Sequence, residues 1–319
     1  MPLQNVVAVL LLLYKMQNII YSLNYSSRLD RFLHRQFGIS ASSIQKLIRT
    51  KKIKVNQQKV AINHQLKPND IINIFTNITH NQLPTTTKNK LNTTQINNFW
   101  QNIIYEDENI IAINKPSGLA TQGGSGIKIS VDDFVQNKKY HLAHRLDKDT
   151  SGLLLIAKNQ QTAHFLYQQF KEKKINKTYF AIVLGVIQKE SGEINIPIAK
   201  QKLGKNEKVA PCHNIANPNH LIKNNNIAIT KFFCQKIYQN YSLLKLQPIT
   251  GKTHQLRVHC KEIGHPIIND IKYGGIKVKQ KEISNTLCLH SWQVVIKNYQ
   301  QQQDLTITAP LPKNWNFPI

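Results

Sequence analysis

The chain has 319 residues, with 42 Lys and Arg against 17 Asp and Glu, a formal net charge of +25 and 41% hydrophobic residues. That length allows two domains, and the apolar fraction excludes wholesale disorder. The charge excess selects a polyanionic partner, with nucleic acid ahead of an acidic membrane surface.

At the N-terminus, Val6 to Tyr14 is an apolar run too short to span a bilayer. No basic region precedes it and no small-residue cleavage site follows, so it is a poor signal peptide. Residues 1–25 read as an extension, and Met16, the only methionine after Met1, is the expected true start.

Residues 26–76 read as a small independent unit. Ser27-Arg-Leu-Asp-Arg-Phe-Leu opens a helix with Leu29, Phe32 and Leu33 on one face and Arg28, Arg31 and Arg35 largely on another. Gly38 stops it. Ser40 or Ser42 is placed to cap a second helix through Ile44, Leu47 and Ile48, ending in the basic run Arg49-Thr-Lys51-Lys52. Alternating segments Ile53-Lys-Val-Asn, Gln58-Lys-Val-Ala-Ile and Asp70-Ile-Ile-Asn-Ile-Phe are expected strands. Two basic helices followed by a small sheet resemble the S-four-type (alpha-L) RNA-binding domain, with Arg28, Arg31, Arg35, Arg49, Lys51 and Lys52 as candidate phosphate contacts.

Residues 77–99 are polar, rich in Thr and Asn, and read as a linker. From residue 100 to 319 strand-like runs (109–114, 152–157, 179–184, 241–246, 305–308) alternate irregularly with helical ones (160–171, 253–263). Regular βαβ spacing is absent, so an α+β domain around a mostly antiparallel mixed sheet flanked by helices is expected.

Only six of the basic residues are Arg, and beyond position 49 only Arg145 and Arg257 occur. Where Lys suffices the chain uses Lys, so these two mark sites that need a planar, always-charged fork. Arg145 lies in His144-Arg-Leu-Asp147-Lys-Asp-Thr-Ser-Gly152-Leu-Leu-Leu-Ile-Ala-Lys158, a polar turn that runs into an apolar strand. A calcium loop is rejected because Lys158 stands where a bidentate Glu is required. A strand-leading turn remains open on composition. Arg257 lies in Pro248-Ile-Thr-Gly251-Lys252-Thr-His-Gln-Leu-Arg-Val-His259, which lacks the first glycine of a phosphate-binding loop. The four cysteines form no Cys-x-x-Cys pair, and the spacing of His254, His259, Cys260 and His265 matches no familiar zinc pattern, so no metal is expected and a reducing cytoplasm fits.

Taken with Asn114-Lys115-Pro-Ser-Gly, Lys177-Thr-Tyr179, and Gly264-His-Pro-Ile followed by Tyr273-Gly, these segments resemble the RluA-type pseudouridine synthases over roughly 100–295. Lys252 stands where that family commonly has Arg, and Asn269 and Ser291 replace a more typical Gly and Ala. The resemblance implies that Asp147 is the catalytic acid, that Arg257 pairs with it, and that Tyr179 stacks on the target uracil. It further implies that Arg145 helps open the space of the flipped base, while His144, Lys115 and Lys252 join the RNA contacts. No cofactor is implied, because uracil is detached, turned and rejoined through carbon 5 without redox or group transfer. Gln122-Gly-Gly-Ser-Gly and Gly264-His-Pro-Ile resemble members that modify 23S ribosomal RNA. The expected partner is therefore ribosomal RNA, and the expected state is a cytoplasmic monomer. The alternatives are other rRNA or tRNA sites, or a non-catalytic RNA-binding assembly factor.

Overall fold

A computed structural model describes residues 17–22, 27–39, 41–76, 91–124, 126–203, 206–212, 226–300 and 303–318. The chain divides into two compact units, Met1–Lys88 and Asn89–Ile319. No helix among the described residues is long and apolar enough to cross a membrane.

In the first unit, strand β1 (Gln17–Ile20) and β2 (Ser27–Arg28) precede helix α1 (Leu29–Phe37) and α2 (Ala41–Arg49). Three short strands follow, β3 (Ile53–Val55), β4 (Gln65–Leu66) and β5 (Ile71–Ile74). Gly38 ends α1 in the left-handed region (φ 66°), and its N–H donates to the His34 carbonyl at 2.7 Å. Leu29, Leu33 and Ile44 bury their side chains against Ile53, Ile72 and Ile74. The sheet order is β1-β5-β3, with β2 and β4 paired separately.

Three expectations differ from this arrangement. Gln17–Ile20, assigned to an extension, pairs antiparallel with β5, and Tyr21 is fully buried with its ring 5.1 Å from Phe32. Gln58–Ile62 is no strand. Asn56 and Gln57 adopt positive φ and turn the chain back, so Gln58 only bridges Val55, and the next strand is Gln65–Leu66. Ser42 lies inside α2 rather than at its cap, while Ser40 and the expected start at Met16 lie outside the described residues.

The second unit opens with helix α3 (Thr93–Trp100), inside the expected linker. Asn92 and Gln95 form a reciprocal capping box, and Phe99 stacks on Phe134 at 4.2 Å, which together order this Asn/Thr-rich stretch. Then come β6 (Ile103–Glu106), β7 (Ile110–Lys115), α4 (Val131–Asn137), β8 (His141–Leu142) and β9 (Ser151–Ala157). Helix α5 (Gln160–Lys171) leads to β10 (Ile175–Leu184), β11 (Ser191–Leu203), β12 (Asn206–Pro211), β13 (Ile227–Tyr238) and β14 (Tyr241–Pro248). Helices α6 (Gln255–Glu262) and α7 (Ile271–Gly274) precede β15 (Leu289–Gln300) and β16 (Gln303–Thr308).

These strands form one eleven-stranded sheet, β12-β11-β13-β14-β10-β15-β9-β7-β6, with β16 on β15 and β8 on β9. Among the described residues every strand pairing of this sheet is antiparallel except β9 with β15. Alternate residues of β7 and β9 feed opposite cores: Ile111, Ile113, Leu154 and Ile156 on one face, Ile110, Ala112, Leu153 and Leu155 on the other. Burial on both faces explains the unbroken apolar run after Gly152.

Where β9 meets β15, the two backbones approach so closely that a Cβ at Gly152 would lie 2.2 Å from the Ser291 carbonyl oxygen, and φ is +104°. Both constraints demand glycine. Gly152→Ala should lower stability to urea by more than about 2 kcal/mol. A wild-type urea midpoint would contradict the close approach.

Candidate active site

The turn 143–150 enters β9, and polar contacts from several segments hold it. The buried Lys115 ammonium donates to the carbonyls of Pro116 (2.8 Å), Leu119 (2.8 Å) and Lys148 (3.1 Å). Thr121 Oγ1 donates to the Leu146 carbonyl at 2.6 Å and accepts from the Leu146 N–H at 3.1 Å. Ser117 Oγ donates to the Asp149 carbonyl at 2.6 Å. Asp147 thus projects from a backbone fixed on both sides, with its side chain 20% exposed.

The opposite wall is the loop 250–254 and α6. Gln255 fixes it by accepting from the Lys252 N–H (3.0 Å) and Thr250 Oγ1 (2.7 Å) while donating to the Ile229 carbonyl (2.9 Å). His254 starts α6 in the left-handed region (φ 54°), an uncommon conformation for a non-glycine residue. Its Nε2 lies 3.7 Å from Asp147 Oδ2, and its Nδ1 shares a 2.7 Å hydrogen bond with the Tyr273 hydroxyl. Burial lowers the His254 pKa, with Asp147 acting against that and Arg257 and Lys272 adding to it. A neutral ring that accepts from the Tyr273 hydroxyl presents its Nε2–H to Asp147.

Arg257, one turn along α6, is 6% exposed. Its Nε and Nη2 donate to Asp270 at 2.8 and 2.7 Å, and its Nη1 lies 3.9 Å from Asp147 Oδ2. Burial opposes its charge, but the Asp270 hydrogen bonds and carboxylate outweigh burial and raise its pKa. The expected Arg257–Asp147 pair is therefore a longer contact, and the close bidentate partner is Asp270. That residue also caps α7, accepting from the Tyr273 N–H, and the Arg257 guanidinium sits 5.2 Å from the centre of the Tyr273 ring.

Asp147, His254, Gln255 and Arg257 line a cleft of about 830 Å³ that also holds Tyr179, Arg145, Lys171, Lys173, Lys177 and Lys252. Tyr179, on β10, is nearly buried, and desolvation, with a smaller contribution from Asp147, pushes its hydroxyl up to about 12. It stays protonated and offers an apolar ring. Asp147 is the one carboxylate among the described lining residues, against six Lys and Arg side chains. Such a cleft admits a polyanion and places a single carboxylate within it.

Several expected RNA contacts take other roles. Lys115 has no exposed surface, and burial pushes its pKa down to about 7 against the charges of Asp149 and Asp147; it is a loop staple, not a phosphate contact. His144 accepts the Leu155 N–H at Nε2 (2.9 Å) and packs on Phe170, and burial with the nearby Lys177 holds its pKa near 3, so it carries no positive charge. Arg145 is exposed at the cleft. In the first unit Arg28 is tied to Asp30 by bonds of 3.0 and 2.6 Å, while Arg31, Arg49, Lys51 and Lys52 are exposed. The Arg35 side chain lies outside the described residues. Asn269, where a Gly is typical, has φ 63°, which Asn tolerates, and its amide donates to the carbonyls of Ser284 and Thr286. Among the described residues no three His, Cys, Asp or Glu side chains are grouped to hold a metal ion.

The sequence reading missed Asp270 and gave Tyr273 no role at the site. In a chain this poor in acids, an Asp after the apolar Pro266-Ile-Ile and three residues before Tyr273 was the available signal.

This chain is a member of the RNA pseudouridylate synthase family, an enzyme that isomerises uridine in RNA. The RNA pseudouridylate synthase family model matches residues 109–262, and the S4 domain model matches 27–72. A Rickettsia felis protein named ribosomal large subunit pseudouridine synthase C is 38% identical over 302 residues, covering 90% of this chain and 94% of its own length. The Haemophilus ducreyi protein of that name is 35% identical over 296 residues, covering 89% and 88%. The solved structure titled Human RNA Pseudouridylate Synthase Domain Containing 1 superposes with a TM-score of 0.55 at 25% identity, covering 65% of this chain and 82% of that one.

Buried imidazoles make the fold sensitive to acid. Burial lowers His144 to about 3, and His259 and His290 to about 4. Below about pH 6.5 the unfolded chain binds protons that the folded chain refuses, so this stability is complete above 6.5 and drains away as pH falls toward 4. Urea unfolding should show falling stability between pH 7 and 5; a flat profile there would contradict neutral buried imidazoles.

Proposed function

We propose that this protein converts specific uridines of 23S ribosomal RNA to pseudouridine, with Asp147 as the essential carboxylate. The observation that carries the reading is the lone carboxylate of a basic cleft, set beside Arg257 and a nearly buried Tyr179. The relatives named for the large ribosomal subunit cover about nine-tenths of the chain, which supports that RNA as substrate over tRNA.

In this reading the target nucleotide leaves the RNA stack, since its reacting atoms are inaccessible within it. The uracil lies on Tyr179, and Arg145 occupies the space it vacates. Arg257 and the His254 Nε2–H face the Asp147 carboxylate and hold it beside the ribose–uracil bond. Uracil is cut from the ribose, turned and rejoined through carbon 5. The product has the same atoms as the substrate, so the step balances without an oxidant, reductant or group donor. The exposed Arg31, Arg49, Lys51 and Lys52 hold RNA phosphates and recognise the shape of the helix.

Pseudouridine mapping of 23S rRNA from cells lacking the gene should show the loss of a small set of sites. Wild-type protein should restore them and Asp147→Asn should not, although that variant still binds RNA. Restoration by Asp147→Asn would overturn the catalytic assignment. Replacing Arg31, Arg49, Lys51 and Lys52 with Gln should weaken RNA binding and flatten its log–log salt dependence by up to roughly 0.9 for each phosphate no longer neutralised. An unchanged slope would mean that these charges are only solvated.

A further inference from the structure

Three cations are withdrawn from water around this cleft, and two have internal partners. Lys115 gives its ammonium to three carbonyls, and Arg257 is clamped by Asp270. The third, Lys177, is half-buried, and among the described residues its ammonium has neither a carboxylate nor a hydrogen-bond acceptor. A partly desolvated charge without a protein partner is unfavourable in the free protein. Burial alone lowers the Lys177 pKa, and no neighbouring carboxylate offsets it. The cation is thus poised to gain from an anion that arrives from outside.

Its position indicates which anion. Lys177 and Tyr179 are alternate residues of β10 and both face the cleft, separated along the strand by about 7 Å. That step is comparable to the reach from a nucleobase across its ribose to its own phosphate. Across the cleft stands Gly251, where an added Cβ would lie 3.7 Å from the Lys177 ammonium. With glycine there, that side of the ammonium stays open.

We propose that Lys177, opposite the bare backbone of Gly251, is the seat for the RNA backbone phosphate adjoining the nucleotide whose base lies on Tyr179. This rests on the reading of the cleft as a uridine-isomerising site. It adds a positioning role: the phosphate seated on Lys177 fixes how far the ribose enters, and so places the ribose–uracil bond at Asp147. Lys171 and Lys173, at the end of α5, extend the basic track outward from this seat.

The test uses the full chain and a short single-stranded oligoribonucleotide containing the mapped target uridine. Lys177→Met should raise Kd at least about tenfold and lower the log–log salt slope by about 0.7, the value for one phosphate contact on a single strand. The fall in kcat/KM should arise mainly through KM, and Lys177→Arg should recover most of the affinity. Gly251→Val, which covers the ammonium without altering a buried charge, should weaken binding in the same direction. Unchanged affinity and salt slope in Lys177→Met would overturn the proposal. So would a loss of rate at saturating RNA with affinity intact, which would make Lys177 a contact to the reacting base instead. Asp147→Asn, assayed alongside, tests the underlying reading separately, because its failure appears in turnover and not in the salt slope.

Discussion

The site depends on a guanidinium kept charged out of water. Arg257 is almost wholly buried, and a lone cation there would be strongly unfavourable. Asp270 meets two of its nitrogens in a bidentate pair, which leaves the third directed at Asp147. Breaking such a buried pair typically costs about 3–5 kcal/mol, whereas an exposed pair contributes about 1 kcal/mol or less. The same carboxylate caps α7 and so fixes Tyr273, whose hydroxyl holds His254, whose other nitrogen faces Asp147. One buried acid therefore sets two of the groups that surround the exposed one.

The other half of the site is held by backbone contacts. Asp147 lies on a turn pinned through its own carbonyls and N–H groups by Lys115, Thr121 and Ser117, and the strand that follows is locked against β15 at Gly152. A carboxylate on such a turn loses little freedom when a ligand arrives, which is the physical content of preorganisation. The cost falls on the residues that do the pinning: a lysine without exposed surface and a glycine that tolerates no Cβ.

Much of this was legible in the sequence. The contrast between abundant Lys and scarce Arg singled out Arg145 and Arg257, and both line the cleft that holds Asp147 and Tyr179. What the sequence could not convey was depth. Lys115 and His144 resemble RNA contacts in one dimension, but one is buried by the loop it staples and the other accepts a backbone N–H of β9. Asp270 was missed because its partner lies thirteen residues back, on a different helix. At the level of fold, strand 17–20 was hidden because a four-residue edge strand is defined by its partner, here β5, more than by its own pattern. Helix 93–100 was masked by Asn and Thr, although the Asn92/Gln95 capping box was present in the sequence.

If Asp270 positions the site through Arg257, single-turnover kinetics of Asp270→Asn, Arg257→Lys and the double variant on the mapped rRNA fragment test this most directly. Each single variant should slow pseudouridine formation at saturating RNA by at least about a hundredfold with little change in RNA affinity, and the double variant should be scarcely slower than either. Fully additive losses, or an Asp270→Asn variant that turns over at the wild-type rate, would contradict it.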